Sequence, residues 1–160
     1  MLRLAWWICC AMLLQGASAL VETRAEGRFT VEARGDAMVM DFRPDSIRGW
    51  KIAEARLYLF VVSGEVPSRL AVSTVTMEWR EDAPAEAAKG AFGKSSSREA
   101  QCMVKPLPQG WIEVQLPPDF VEAMAAGKSF GIAWLNGGAR INGRAPVFRQ
   151  PYMLVTEARP

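Results

Sequence analysis

Arg56 and Tyr58 stand two residues apart in segment 52–62, where Ala55, Leu57, Leu59 and Val61 alternate with Glu54, Arg56, Tyr58 and Phe60. A strand turns successive side chains to opposite faces, so the guanidinium and the phenol share one surface. A ring offers a flat apolar face, and a guanidinium offers forked donors to an anion. Trp79 and Trp111 are two further large rings off the main aliphatic faces. Arg56, Tyr58, Trp79 and Trp111 are the residues that would carry a ligand-binding role, were the chain a binding module. The rival account of the three rings is packing under loops or at sheet edges.

The chain contains no histidine. Ser-His-Asp and Cys-His catalysis, a histidine base and histidine-ligated zinc are therefore excluded. A glycosidase needs only two carboxylates in a cleft. Glu54, Glu78, Glu81 and Glu113 are available, but their spacing gives no reason to pair any two. No catalytic residue is assigned, and an enzyme is not expected. No cofactor is expected either. A structural calcium is the one metal left open, because Asp36, Asp41 and Asp45 are spaced through a turn-rich segment and calcium takes several oxygens. No loop motif is present, so no ligand is named.

The formal net charge is +2. No basic stripe is visible, so a nucleic-acid partner is not expected. Residues 1–19 read as a secretory signal peptide, with Arg3, an apolar run over 4–14 and the small residues Ala17-Ser18-Ala19. The run is too short for the roughly 20 apolar residues of a membrane span. The mature chain, 20–160, is expected to be one secreted domain, periplasmic or extracellular, with no membrane span. It keeps one cysteine, Cys102, which cannot form an internal disulfide. A small buried apolar residue is the expected reading, and an intermolecular bridge is the alternative.

These residues need elements to carry them. Segment 52–62 reads as a long strand. Segment 69–79 reads as a second, with Leu70 and Val72 on one parity and Val75, Met77 and Trp79 on the other. One β-bulge near Ser73-Thr74 would reconcile them. Shorter alternating strands are expected over 28–32, 37–42, 111–116, 129–135 and 152–156, and a short helix over 119–126. Segment 83–101, rich in Ala, Ser, Gly, Lys and Glu, is expected to be a long loop, with at most a helical turn near 85–89. Seven or eight short strands without βαβ alternation imply an all-β, antiparallel β-sandwich, with a jelly roll as the expected topology.

The order of features also resembles a known family. Asp41-Phe42, Ile47 and Ile52-Ala53-Glu54-Ala55-Arg56-Leu57-Tyr58-Leu59 resemble the opening of DNRLRE domains, jelly-roll modules related to an alginate-binding carbohydrate-binding module family. Leu70, Val72, Val75 and Trp79-Arg80-Glu81 resemble their next step. Gly110-Trp111-Ile112-Glu113-Val114, Gly127 to Ile132 and Pro151-Tyr152-Met153-Leu154-Val155 resemble the closing half. The literal DNRLRE string is absent, and an Ala/Glu-rich loop follows Glu81 in place of the family's Thr-Trp-containing segment. The resemblance implies a non-catalytic module binding polysaccharide or a cell-surface glycan. Rings would stack on the C–H faces of sugars, and arginine would pair with the carboxylates of an acidic glycan. The alternative is a structural or adhesive envelope or matrix sandwich without a soluble ligand.

Overall fold

The computed structural model describes residues 16–141, 143 and 149–159. Residues 1–15 of the expected signal segment lie outside the described residues. The strands are β1 (Ser18–Val31), β2 (Gly35–Phe42), β3 (Ile52–Ser63), β4 (Arg69–Thr74), β5 (Glu99–Pro106), β6 (Trp111–Leu116), β7 (Ile132–Leu135), β8 (Arg140–Ile141) and β9 (Tyr152–Glu157). Helix α1 (Pro118–Ala125) follows β6 directly, one residue from its expected bounds, and its first turn opens on proline, whose fixed φ suits a helix start.

Among the described residues all the strand pairings are antiparallel, as expected. Their order, β6-β5-β4-β7-β2-β1-β9-β3, closes on itself because β3 also pairs with β6. Among the described residues the result is a closed eight-stranded barrel, with two-residue β8 added beside β3. The expectation was a sandwich of two separate sheets. Two strands join the layers instead. Ser18–Glu22 of β1 pairs with β9, and from Thr23 onward the same strand pairs with β2. A register shift between Thr23 and Ala25 marks the bend, since an extra residue kinks a strand and increases its twist. Likewise β5 pairs first with β4 and then, from Val104, with β6.

The barrel interior is apolar. Met38, Met40 and Phe42 of β2 meet Leu57 and Leu59 of β3, Val114 of β6, Ile132 and Trp134 of β7, and Met153 and Val155 of β9. Helix α1 contributes Phe120, Val121 and Met124 to this same core. A smaller cluster lies outside the barrel wall. Phe29, Ala37, Val39 and Ala133 point outward from β1, β2 and β7 and are covered by Val75, Ala87 and Ala91. The cover is a 3-10 helix over Pro84–Gly90 and its flanks. Gly27 lets it approach, because a Cβ there would sit 2.3 Å from the Pro84 side chain.

This cover corrects the expected bulge. Strand β4 ends at Thr74, and 75–79 is not strand. Leu70 and Val72 face the barrel interior, and Val75 faces the outer cluster. Both parities are apolar because this layer is buried on both faces, as in any covered sheet. In segment 83–101 the helical turn allowed near 85–89 is the 3-10 helix over Pro84–Gly90, and the expected loop is corrected at its end, where β5 begins at Glu99. Strand β1 runs ten residues earlier than expected.

Candidate functional site

The opposite layer presents a partly exposed outer face. On β3 the inward residues Ala55, Leu57 and Leu59 are buried, and Glu54, Arg56 and Tyr58 are half-buried and point out. Strands β6 and β9 flank β3, so Tyr58 lies opposite both Glu113 and Tyr152, and Phe60 lies opposite Trp111. Cross-strand neighbours stand close enough for rings to touch.

The rings form a continuous cluster. Tyr58 and Tyr152 stack with centroids 4.8 Å apart and planes 12° apart. Trp111 meets Tyr152 edge-on at 5.9 Å and Phe60 at 5.7 Å. The Arg149 guanidinium lies 4.1 Å over the Phe60 ring. Tyr58, Tyr152 and Trp111 keep part of their surface exposed, while Phe60 is buried beneath them.

Polar groups border the rings. The Tyr58 hydroxyl donates to Glu113 at 2.9 Å. Arg56 donates to both oxygens of Glu54, at 2.7 and 2.5 Å. The Glu54 bond, with a smaller contribution from Tyr58, raises Arg56 above its ordinary pKa, and Arg56 in turn holds the Glu54 carboxyl low. Burial, followed by the bond to Glu113, pushes the Tyr58 phenol up. At neutral pH the Arg56 guanidinium and the Glu54 carboxylate are therefore charged and the Tyr58 phenol is neutral. It can stack on apolar C–H surfaces, donate to and accept from hydroxyls, and present cations at Arg56 and Arg149 to an anion.

Of the four residues named from sequence, Arg56, Tyr58 and Trp111 lie together on this face. Trp79 does not. It packs against the outer cluster beneath the Pro84 cover, its indole N–H donates to the Phe130 carbonyl at 2.8 Å, and it lines a separate small cavity with Arg24 and Asp41. Its ring holds the cover in place, which is the packing account of that tryptophan. Sequence reasoning missed Tyr152, Phe60 and Arg149 as members of the site. Tyr152 opens an alternating strand with its parity outward, and Phe60 shares a face with Tyr58, so both carried a signal. Arg149 carried none, because its position over Phe60 depends on the return of the chain to β9.

The aspartates considered for calcium are otherwise engaged: Asp41 pairs with Arg24, Asp36 accepts from Thr30, and Asp45 pairs with Arg48. Among the described residues no group of three acidic, cysteine or histidine side chains is placed to hold a metal. No described helix is long and apolar enough to cross a membrane. Cys102 is buried beside Leu70, its β4 partner, in the core. No protein-family model matches the chain, and no curated protein matches it.

Proposed function

We propose that the protein is a secreted, non-catalytic module that binds an acidic polysaccharide across the outer face of β3, β6 and β9. The observation that carries this reading is the half-exposed ring cluster Tyr58–Tyr152–Trp111, bordered by Arg56 and Arg149, on the sheet face opposite the Pro84 cover. Sugars are bound by flat rings under their C–H faces with polar side chains on their hydroxyls, and a uronate or sulfate adds a partner for arginine. The signal-like segment 1–19 supports a periplasmic or extracellular home.

The DNRLRE kinship and the jelly-roll topology belong to the same proposal. The pairings β1–β9, β2–β7, β3–β6 and β4–β5 are nested, as they are when one long hairpin is rolled up. That nesting supports a jelly roll whose two layers are joined at both edges.

A titration of the purified protein with acidic and neutral polysaccharides, followed by tryptophan fluorescence, tests the function. A saturable change with an alginate-like polymer, lost in Tyr58→Ala and Trp111→Phe, supports it. A flat response from a folded sample sinks it.

A structural or adhesive role is the second reading. It is favoured by Leu20 and Met103, which are 55% and 63% exposed on the strands that edge the same layer. Sedimentation of the protein alone separates the two: self-association without any glycan response would favour adhesion.

A further inference from the structure

At one end of the barrel, three arginines from three elements border a single basin of about 630 Å³: Arg28 of β1, Arg34 of the β1–β2 turn and Arg140 of β8. A second cavity of about 200 Å³ shares Arg28, Asp36 and Asn136 with it. Among the described residues Asp36 is the one acid lining either cavity, and it already accepts from Thr30 at 3.2 Å.

The arginines are held from behind. Arg34 makes a two-pronged bond to Glu99, at 2.9 and 2.8 Å, and its guanidinium lies 5.0 Å over the Phe92 ring. Arg28 donates to the Ile141 carbonyl at 2.7 Å. A guanidinium carries five N–H donors, so each retains donors beyond these anchors. The backbone around Arg34 is strained, with Ala33 at φ 59° and Phe92 at φ 47°. Left-handed conformations in side-chain-bearing residues cost energy and persist where surrounding structure imposes them, often at binding sites.

Asn136 lines both cavities and is 7% exposed. Its backbone is fully used, donating to Asp36 and accepting from Ala139 at 3.0 Å each. Its side-chain oxygen is buried and has no hydrogen-bond partner among the described residues. Buried acceptors are almost always satisfied, so an unmet one requires a donor. A turn about the broad terminal torsion of the amide would bring that oxygen to the basin, with the NH2 group taking its place.

We propose that this basin binds a hydroxylated carboxylate, with the arginine forks taking the carboxylate and a ligand hydroxyl donating to Asn136 Oδ1. The guanidinium fork matches a carboxylate, and an acceptor without a donor selects for an adjacent hydroxyl. The chemistry fits a sugar-acid unit or a free hydroxy acid. The proposal is independent of the outer-face reading, since the two sites share no residue.

Calorimetric titration of the full-length protein with citrate, tricarballylate (citrate without its hydroxyl), glucuronate and glucose tests it. Saturable binding of citrate or glucuronate is expected, with none for glucose and weaker binding of tricarballylate than of citrate. Arg140→Ala, at an exposed position, should weaken binding roughly tenfold or more. Asn136→Ala should remove the preference for citrate over tricarballylate. A tighter complex with glucuronate assigns the ligand to sugar acids, and the reverse order assigns it to free hydroxy acids. Three results would each overturn the proposal: no saturable heat with either acid, equal affinity for citrate and tricarballylate, or unchanged affinity in both Arg140→Ala and Arg28→Ala. Binding kept in Arg140→Ala but lost in Tyr58→Ala also overturns it, and moves the ligand to the outer face.

Discussion

Tyr58 and Tyr152 lie face to face on adjacent strands, with centroids 4.8 Å apart and planes 12° apart. They are opposite in register, and Glu113 completes the row by accepting from the Tyr58 hydroxyl. The stack therefore joins β3 to β9, and the Glu113 bond joins β3 to β6. Three neighbouring strands of the barrel are thus tied together across one outer face.

The stack is testable as a coupling. Aromatic pairs contribute about 0.5–1.5 kcal/mol beyond their area burial. A double-mutant cycle of Tyr58→Ala and Tyr152→Ala, read by urea denaturation, should return an interaction energy in that range. Additivity within about 0.3 kcal/mol would show that the rings are merely adjacent.

Cys102 should be chemically silent in the folded state. Burial pushes its thiol up to about 11 from an ordinary 9.0. A thiol reagent at pH 8 should label the native protein slowly and the urea-unfolded protein at once. Prompt stoichiometric labelling of the native protein would contradict the burial. The sign of the pH effect follows. Between about pH 9 and 11 the folded state holds a proton that the unfolded state has released, so stability falls as pH rises through that window. Cys102→Ala should flatten the alkaline decline.

On the acid side, Arg34 holds Glu99 below the ordinary carboxylate value of 4.5, and Arg56 does the same for Glu54. A depressed carboxylate contributes stability above its unfolded pKa and loses it as pH falls through the folded value. Both pairs are partly exposed, so each contribution is small. Glu99→Gln should lower the urea midpoint slightly at pH 7 and leave it unchanged near pH 2. An equal loss at both pH values would assign the effect to packing.

Gly27 should be intolerant of any side chain. A Cβ there would meet Pro84 at 2.3 Å, inside contact distance. Gly27→Val should lift the Pro84–Gly90 helix and expose Val75, Ala87 and Ala91, raising hydrogen exchange in that segment before the barrel itself opens. Unchanged protection there would show that the cover yields without detaching.

Leu57→Ala removes a side chain buried at the centre of the barrel and should cost about 2–5 kcal/mol, as large-to-small core changes do. The measurement is the urea midpoint. A loss under about 1 kcal/mol would place Leu57 outside the core.

Local elements whose two faces differ are legible in the amino-acid order alone. In β3, β6 and β9, parity follows from covalent geometry alone, so the inward sets Ala55–Leu57–Leu59, Ile112–Val114–Leu116 and Met153–Val155 are readable without any partner strand. The outward placement of Arg56, Tyr58 and Trp111 follows from the same parity. The tertiary structure decided whatever depends on who sits opposite. Residues 69–79 read as a bulged strand because Val75 changes parity, but its layer is buried on both sides by a cover made largely of alanines, which carry little hydrophobic signal. Trp79 was drawn under that cover, away from the other candidates. Tyr152 and Arg149 reached the ring cluster through the pairing of β9 with β3, a long-range contact that no local pattern encodes. Closure of the barrel came from β1 and β5 each serving two layers, and strand pairing, unlike side-chain parity, is settled only when distant segments compete for the same backbone hydrogen bonds.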